Sequence, residues 1–176
     1  SLETRHALRD FSVIGFTLQT ELTNTNLLNT LDLGGVPVLA AQRGNDDPLV
    51  IAGGSCTYNP EPIADFVDAF VIGEGEEVTL ELLDLVAAHH ERPEATRSEL
   101  LTDLAHIPGV YVPALYTPTC DSAGRYAGLS AASGAPESII KRIVPTLPLT
   151  PRAPSCRTCR PCTTGPRSRS SAVAVA

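Results

Sequence analysis

Two glycine turns carry the residues best placed to do chemistry. The first, Gly73-Glu74-Gly75-Glu76-Glu77, sets three carboxylates at the start of a predicted helix. Glycine permits tight turning and close backbone approach. The carboxylates favour the positive end of a helix dipole, by about 0.3–1 kcal/mol each when exposed. They also repel phosphate, which needs that helix end free, so a dinucleotide or P-loop site is excluded. A ligand here would have to offer amide or hydroxyl donors. The competing reading is a well-capped helix in a structural turn. The second turn, Gly53-Gly54-Ser55-Cys56, leaves a neighbouring apolar run. It is not a G-x-S-x-G nucleophile elbow, because Thr57 follows Cys56. Cys56 reads as a small buried residue rather than a nucleophile, and the glycines leave room for a flat ligand at the sheet edge. Thr17, Leu18 and Gln19, ending another run, would line the same crevice.

The remaining reactive residues give weaker signals. His89 and His90 fall near a predicted helix C-terminus, where partial positive charge is favourable. His6 and His106 have no cysteine or carboxylate partners at metal spacing. Cys156, Cys159 and Cys162 have the spacing of a zinc knuckle or iron–sulfur loop. However, no fourth ligand follows and the flanks are rich in Arg, Ser and Pro, so no metal is expected there.

These turns require a parallel sheet to position them. The runs 49–52 and 69–72 are short, apolar and glycine-terminated, as buried parallel strands are. Residues 10–17 form a further strand rich in β-prone residues. Thr23 or Asn24 caps a helix over 25–33, with Leu27, Leu28 and Leu31 on one face, and Gly34-Gly35 ends it. Pro62 opens a short helix reaching Phe66. A long helix over 76–90 presents Val78, Leu82, Leu85 and Val86. Strand–helix–strand–helix order implies right-handed crossovers and ligands at the carboxyl ends of the strands. Beyond residue 91 a small amphipathic helix covers 97–105. Residues 110–115 and 125–129 are expected to form a hairpin, with a further strand over 139–144. From Pro145 periodicity fades.

Composition sets the limits. The 176 residues allow one domain plus an appendage, and 43% hydrophobic content suffices for a packed core. A net charge of −7 argues against a nucleic-acid surface. No apolar run has the length of a membrane span, and no signal peptide is visible. Only Cys56 and Cys120 lie in the body, which suits a reduced, cytoplasmic protein.

The segments DFSVIGFTLQTELTNTNLLNTLDLGGVP, PLVIAGGSCTYNPEPIADFVDAFVIGEGEE and IPGVYVPALY resemble cobalamin-binding-domain radical S-adenosylmethionine proteins, over about residues 2–149. The resemblance implies a flavodoxin-like cobalamin domain followed by a partial TIM barrel. That barrel carries a 4Fe–4S cluster on a C-x-x-x-C-x-x-C loop and cleaves S-adenosylmethionine to a radical. Radical methylation or a related C–H functionalisation would be the parent's reaction. Gly53, Gly54, Gly73, Glu74 and Gly75 carry over as cofactor contacts, with Thr17, Leu18 and Gln19 beside them. The chain holds no Asp-x-His-x-x-Gly sequence for a lower axial cobalt ligand. It lacks the cluster loop, and the match begins at the family's third strand, so a fragment truncated at both ends and inactive alone is expected. Codons compatible with 155–176, read one base earlier, give VVPYVPPVHDRAAVEIERGCGR, which resembles the family's approach to its cluster loop. The tail is therefore expected to be an out-of-frame, irregular segment.

The expected fold is α/β. Residues 1–90 form a partial flavodoxin-like parallel sheet, 91–150 a small helix-plus-hairpin module, and 151–176 a disordered tail. The expected role is part of a corrinoid-binding region, partnered by the radical S-adenosylmethionine barrel of the parent, with no nucleic acid or membrane. The alternatives are a non-catalytic module that docks on the barrel without cofactor, and a flavin-binding flavodoxin relative.

Overall fold

The computed structural model describes residues 5–145 and the strand Val173–Val175. The main sheet begins with β1 (Val13–Thr17), whose Val13 and Ile14 are wholly buried. The strand is shorter at its start than the sequence suggests, because residues 8–10 turn as a 3-10 segment. Helix α1 (Asn24–Leu33) follows and buries Leu27 and Leu31. Thr23 occupies its N-cap position, but the Thr23 hydroxyl bonds back to Thr20 O rather than capping. Gly35, at φ 69°, terminates the helix in a left-handed conformation.

Strand β2 (Leu49–Gly53) pairs in parallel with β1, and β3 (Ala69–Val71) pairs in parallel with β2. Between them the Pro62 segment is the expected short helix, in 3-10 form, over Glu61–Phe66. Helix α2 (Gly75–His90) buries Val78, Leu82 and Val86, as their spacing predicts. Helix α3 (Arg97–Ala105) opens with a capping box: the Thr96 hydroxyl accepts from Glu99 N–H, and the Glu99 carboxylate accepts from Thr96 N–H.

The expected 110–115/125–129 hairpin is redrawn. β4 (Val110–Tyr111) instead joins the main sheet, antiparallel to β3. The hairpin is formed by β5 (Tyr116–Cys120) and β6 (Tyr126–Ala131), a separate two-stranded sheet with both faces largely exposed. After β4, Pro113 opens a 3-10 turn, Pro113–Leu115, which a fixed proline φ suits. β7 (Val173–Val175) pairs in parallel with the free edge of β1, so these three residues are regular where irregular chain was expected. Cys156, Cys159 and Cys162 lie outside the described residues.

The main sheet runs in the order β4-β3-β2-β1-β7. Alternation along the strands splits the core into two layers. Val13, Leu49, Ile51, Ala69 and Val71 face α2 and α3, while Ile14, Phe16, Val50, Ala52 and Phe70 face α1 and the Glu61–Phe66 turn. Leu100, Leu104, Ala105 and Val110 belong to the α2 layer, so the core continues through residue 90 into α3 and β4.

A buried ionic knot joins the amino ends of β2 and β3. One carboxylate oxygen of Asp68 accepts from Arg43 (2.9 Å), Arg97 (2.9 Å) and Val50 N–H (2.7 Å). Arg43 also donates to the carbonyls of Pro37, Val38 and Phe66. Burial pulls the Arg43 guanidinium below its ordinary range, and the Asp68 charge opposes that shift. Arg97 donates to Gly44, Asp47 and Pro48 carbonyls, anchoring α3 to the turn before β2. The knot is at the opposite end of the sheet from the glycine turns.

Candidate functional site

The glycine turns singled out in the sequence lie where the parallel strands end, and the two of them differ. At the β1–β2 end, Leu18 N–H donates to Gly53 O (2.7 Å), Cys56 N–H donates to Leu18 O (3.0 Å), and the Ser55 hydroxyl donates to Gln19 O (3.1 Å). The Thr17–Gln19 and Gly53–Ser55 segments are therefore one unit. Thr17, Gln19 and Ser55 are exposed, whereas the Leu18 side chain is buried in the α1 layer and contributes only backbone.

Gly53 and Gly54 have opposite reasons to be glycine. A Cβ on Gly53 would meet nothing within 4 Å. Gly54 sits at φ 110°, and a Cβ there would lie 2.6 Å from Leu18 O, so this glycine serves the fold's own close approach. Thr57, wholly buried, places its hydroxyl 2.8 Å from Gly54 O and 3.0 Å from Val71 O, tying the β2 and β3 ends together.

At the β3 end the turn is covered by this chain itself. Residues 139–144, expected as a strand, make a single parallel bridge between Arg142 and Gly73. Ile72 N–H donates to Gly109 O (2.7 Å), Arg142 N–H donates to Ile72 O (2.8 Å), and Glu74 N–H donates to Arg142 O (3.1 Å). The segment thus takes over the β4 side of β3 once the chain turns away at Gly109. Gly73 (φ 109°) and Gly109 (φ 87°) flank the Arg142 backbone. A Cβ on Gly73 would fall on the Arg142 carbonyl and 2.7 Å from its nitrogen, and one on Gly109 would lie 2.9 Å from the Arg142 Cβ.

The acidic turn is partnered in the same way. Arg142 reaches Glu77 at 3.1 Å and Glu81 at 2.5 Å, and Glu74 accepts from Val144 N–H. The two side-chain hydrogen bonds, that to Glu81 first, hold the Arg142 guanidinium above its ordinary range. Gly75 begins α2, and a Cβ there would make ordinary contact with Thr79.

Sequence reasoning passed over Arg142, Gly109 and Thr57. One signal was available for Arg142: Lys141 and Arg142 are the only basic residues between Arg125 and Arg152, and an acidic turn needs a counter-charge. Nothing local marks Thr57. Beside this strap, Ala105–Val110, Gly134–Pro136 and Ser138–Ile140 line a cleft of about 410 Å³.

The histidines are placed away from the crevice turns. His89 and His90 end α2, with ring nitrogens against Thr96 O (3.0 Å) and Val86 O (2.8 Å), and His106 bonds Thr102 O. Among the described residues no group of three His, Cys, Asp or Glu could hold a metal ion. No described helix is long and apolar enough to cross a membrane.

Parallel strands with helical layers on both faces, and glycine turns at the strand ends, define an open α/β domain consistent with a partial flavodoxin-like fold. Residues 1–113 match the family model for radical SAM proteins, N-terminal, and the chain belongs to that family. No curated protein and no solved structure matches it. Membership implies a 4Fe–4S cluster and S-adenosylmethionine in the parent protein. The described residues do not fit the cluster, since Cys56 and Cys120 are their only thiols and no third ligand joins them.

Proposed function

We propose that this chain is the corrinoid-binding accessory region of a radical SAM protein, with cobalamin seated at the carboxyl ends of β1 and β2. The observation that supports this reading is the open space above Gly53, flanked by exposed Thr17, Gln19 and Ser55. Hydroxyl and amide groups of this kind complement the amide-bearing rim of a corrin. Gly54 supports the site from below rather than touching the ligand, and the Gly73–Gly75 turn is at its margin, behind Arg142. Bound cobalamin would supply a cobalt centre able to carry an alkyl group toward the parent's radical domain. The reaction class that follows is radical alkyl transfer or a related C–H functionalisation in the cytoplasm, with the barrel of the parent as partner.

Titration of the 176-residue chain with hydroxocobalamin tests this, read by its visible absorbance. The expected result is a saturable shift with affinity weaker than micromolar, because only one half of the crevice is open. Gly53→Phe fills open space at an unstrained position, so it should abolish the shift and leave the thermal melt unchanged. No shift, or a shift that Gly53→Phe does not alter, refutes the reading.

A second reading is favoured by the strap over β3, which narrows the crevice. The chain would then dock on the barrel without cofactor. Corrin absorbance in the intact parent purified with hydroxocobalamin separates the two.

A further inference from the structure

We propose that residues 139–144 are a releasable latch, which closes the β3 end of the crevice over the Gly73 turn and opens as a unit. The slot is built for backbone. Gly73 and Gly109 both adopt positive φ and approach Arg142 more closely than side chains would allow. The latch is held across its width by Arg142 N–H to Ile72 O, Glu74 N–H to Arg142 O, and Val144 N–H to the Glu74 carboxylate.

Its remaining anchors are at the rim. Glu77 and Glu81 pair with Arg142 while their side chains stay 52% and 43% exposed. Pairs of this kind are weak and screened by salt. The latch gives little to the core: Val144 is buried and Ile139 packs against the α1 layer, but Ile140 and Ile143 are 77% and 58% exposed. By contrast, all three residues of β3 are buried. The segment is thus docked on the sheet edge rather than integrated into it. Elements with few buried contacts and exposed hydrogen bonds open below the global unfolding threshold.

Opening would uncover Gly73, release the already exposed Glu74 and Glu77 from Val144 and Arg142, and lengthen the crevice from β2 toward β3. Because Val144 binds Glu74 directly, a pull on the chain beyond Val144 reaches the glycine turn through two residues. The latch therefore couples the position of whatever follows it to the shape of the crevice. This holds whether the crevice takes a corrinoid or a protein surface.

Amide hydrogen exchange on the whole chain is the test. The Glu74, Arg142 and Val144 amides should exchange at least about tenfold faster than those of Phe70 and Val71, and faster still when salt is raised to about 0.5 M. Arg142→Ala should speed the strap amides about three- to tenfold and leave β1 and β2 amides unchanged, while Arg142→Lys restores part of the protection. If Arg142→Ala fails to fold, the Glu77→Gln/Glu81→Gln double variant gives the same comparison. Strap amides that exchange only with β3, unaffected by salt and by these variants, would overturn the latch. So would variants that speed β1, β2 and strap amides together.

Discussion

Gly73 and Gly53 both follow apolar runs at the ends of parallel strands, and alanine should separate them sharply. At Gly73 the methyl would meet the Arg142 carbonyl, and φ 109° is disfavoured for any side chain. Forcing a non-glycine residue into such a region costs about 1–3 kcal/mol. Displacing the strap also breaks Arg142 N–H to Ile72 O and Glu74 N–H to Arg142 O, at about 0.5–1.5 kcal/mol each. Gly73→Ala is therefore expected to lose about 2–6 kcal/mol, or to shed strap protection if the strap yields first. At Gly53 the added methyl enters open space, so Gly53→Ala should be neutral or stabilising by up to about 1 kcal/mol through the unfolded chain. Urea denaturation followed by circular dichroism, with amide exchange of residues 139–144 in parallel, measures both. If Gly73→Ala unfolds within about 0.5 kcal/mol of the parent chain and its strap amides stay protected, the close-approach argument is refuted.

Asp68→Ala should cost about 3–5 kcal/mol in the same denaturation assay, since it strands two arginines and Val50 N–H, whereas Asp103→Ala on the surface of α3 should lie within about 0.5 kcal/mol of the parent chain. Thr57→Val should cost about 1–3 kcal/mol, because the Gly54 and Val71 carbonyls lose their buried donor. Tyr111, held by burial and by a 2.6 Å bond to Glu61, has its phenol pKa pushed well up. Above the ordinary tyrosine pKa of about 10 the unfolded chain binds fewer protons than the folded one, so stability should fall as pH rises from there, and Tyr111→Phe should flatten that fall in melts across alkaline pH. Asp121 caps the β5–β6 turn through the Arg125 and Ala123 amides, which, Arg125 foremost, hold its carboxyl below the usual range. Its hydrogen bonds are present above the ordinary carboxylate pKa and lost as pH falls through the depressed value, so the amide shifts of residues 121–125 should move at lower pH than an ordinary aspartate would set.

The sequence by itself determined the elements whose signal is local. Glycine-ended apolar runs located β2 and β3, Val78, Leu82 and Val86 set the buried face of α2, and residues 97–105 read as α3 to the residue. Periodicity and turn chemistry are properties of neighbouring residues, so they survive without the fold. The segments FTLQ, GGSC and GEGEE likewise marked the carboxyl ends of three strands. Only the tertiary structure decided what each glycine is for. Gly53 faces open space while Gly54 and Gly73 meet backbone, a difference set by Leu18 and by a strap whose Val144 lies 70 residues from Glu74. The fate of residues 110–115 was decided in the same way. Val110 and Tyr111 are β-prone in any pairing, and it is the exposed edge of β3, not their own pattern, that draws them out of the hairpin. The Asp68 knot had no local mark either, since Arg43, Asp68 and Arg97 converge only because β2, β3 and α3 bring their ends together.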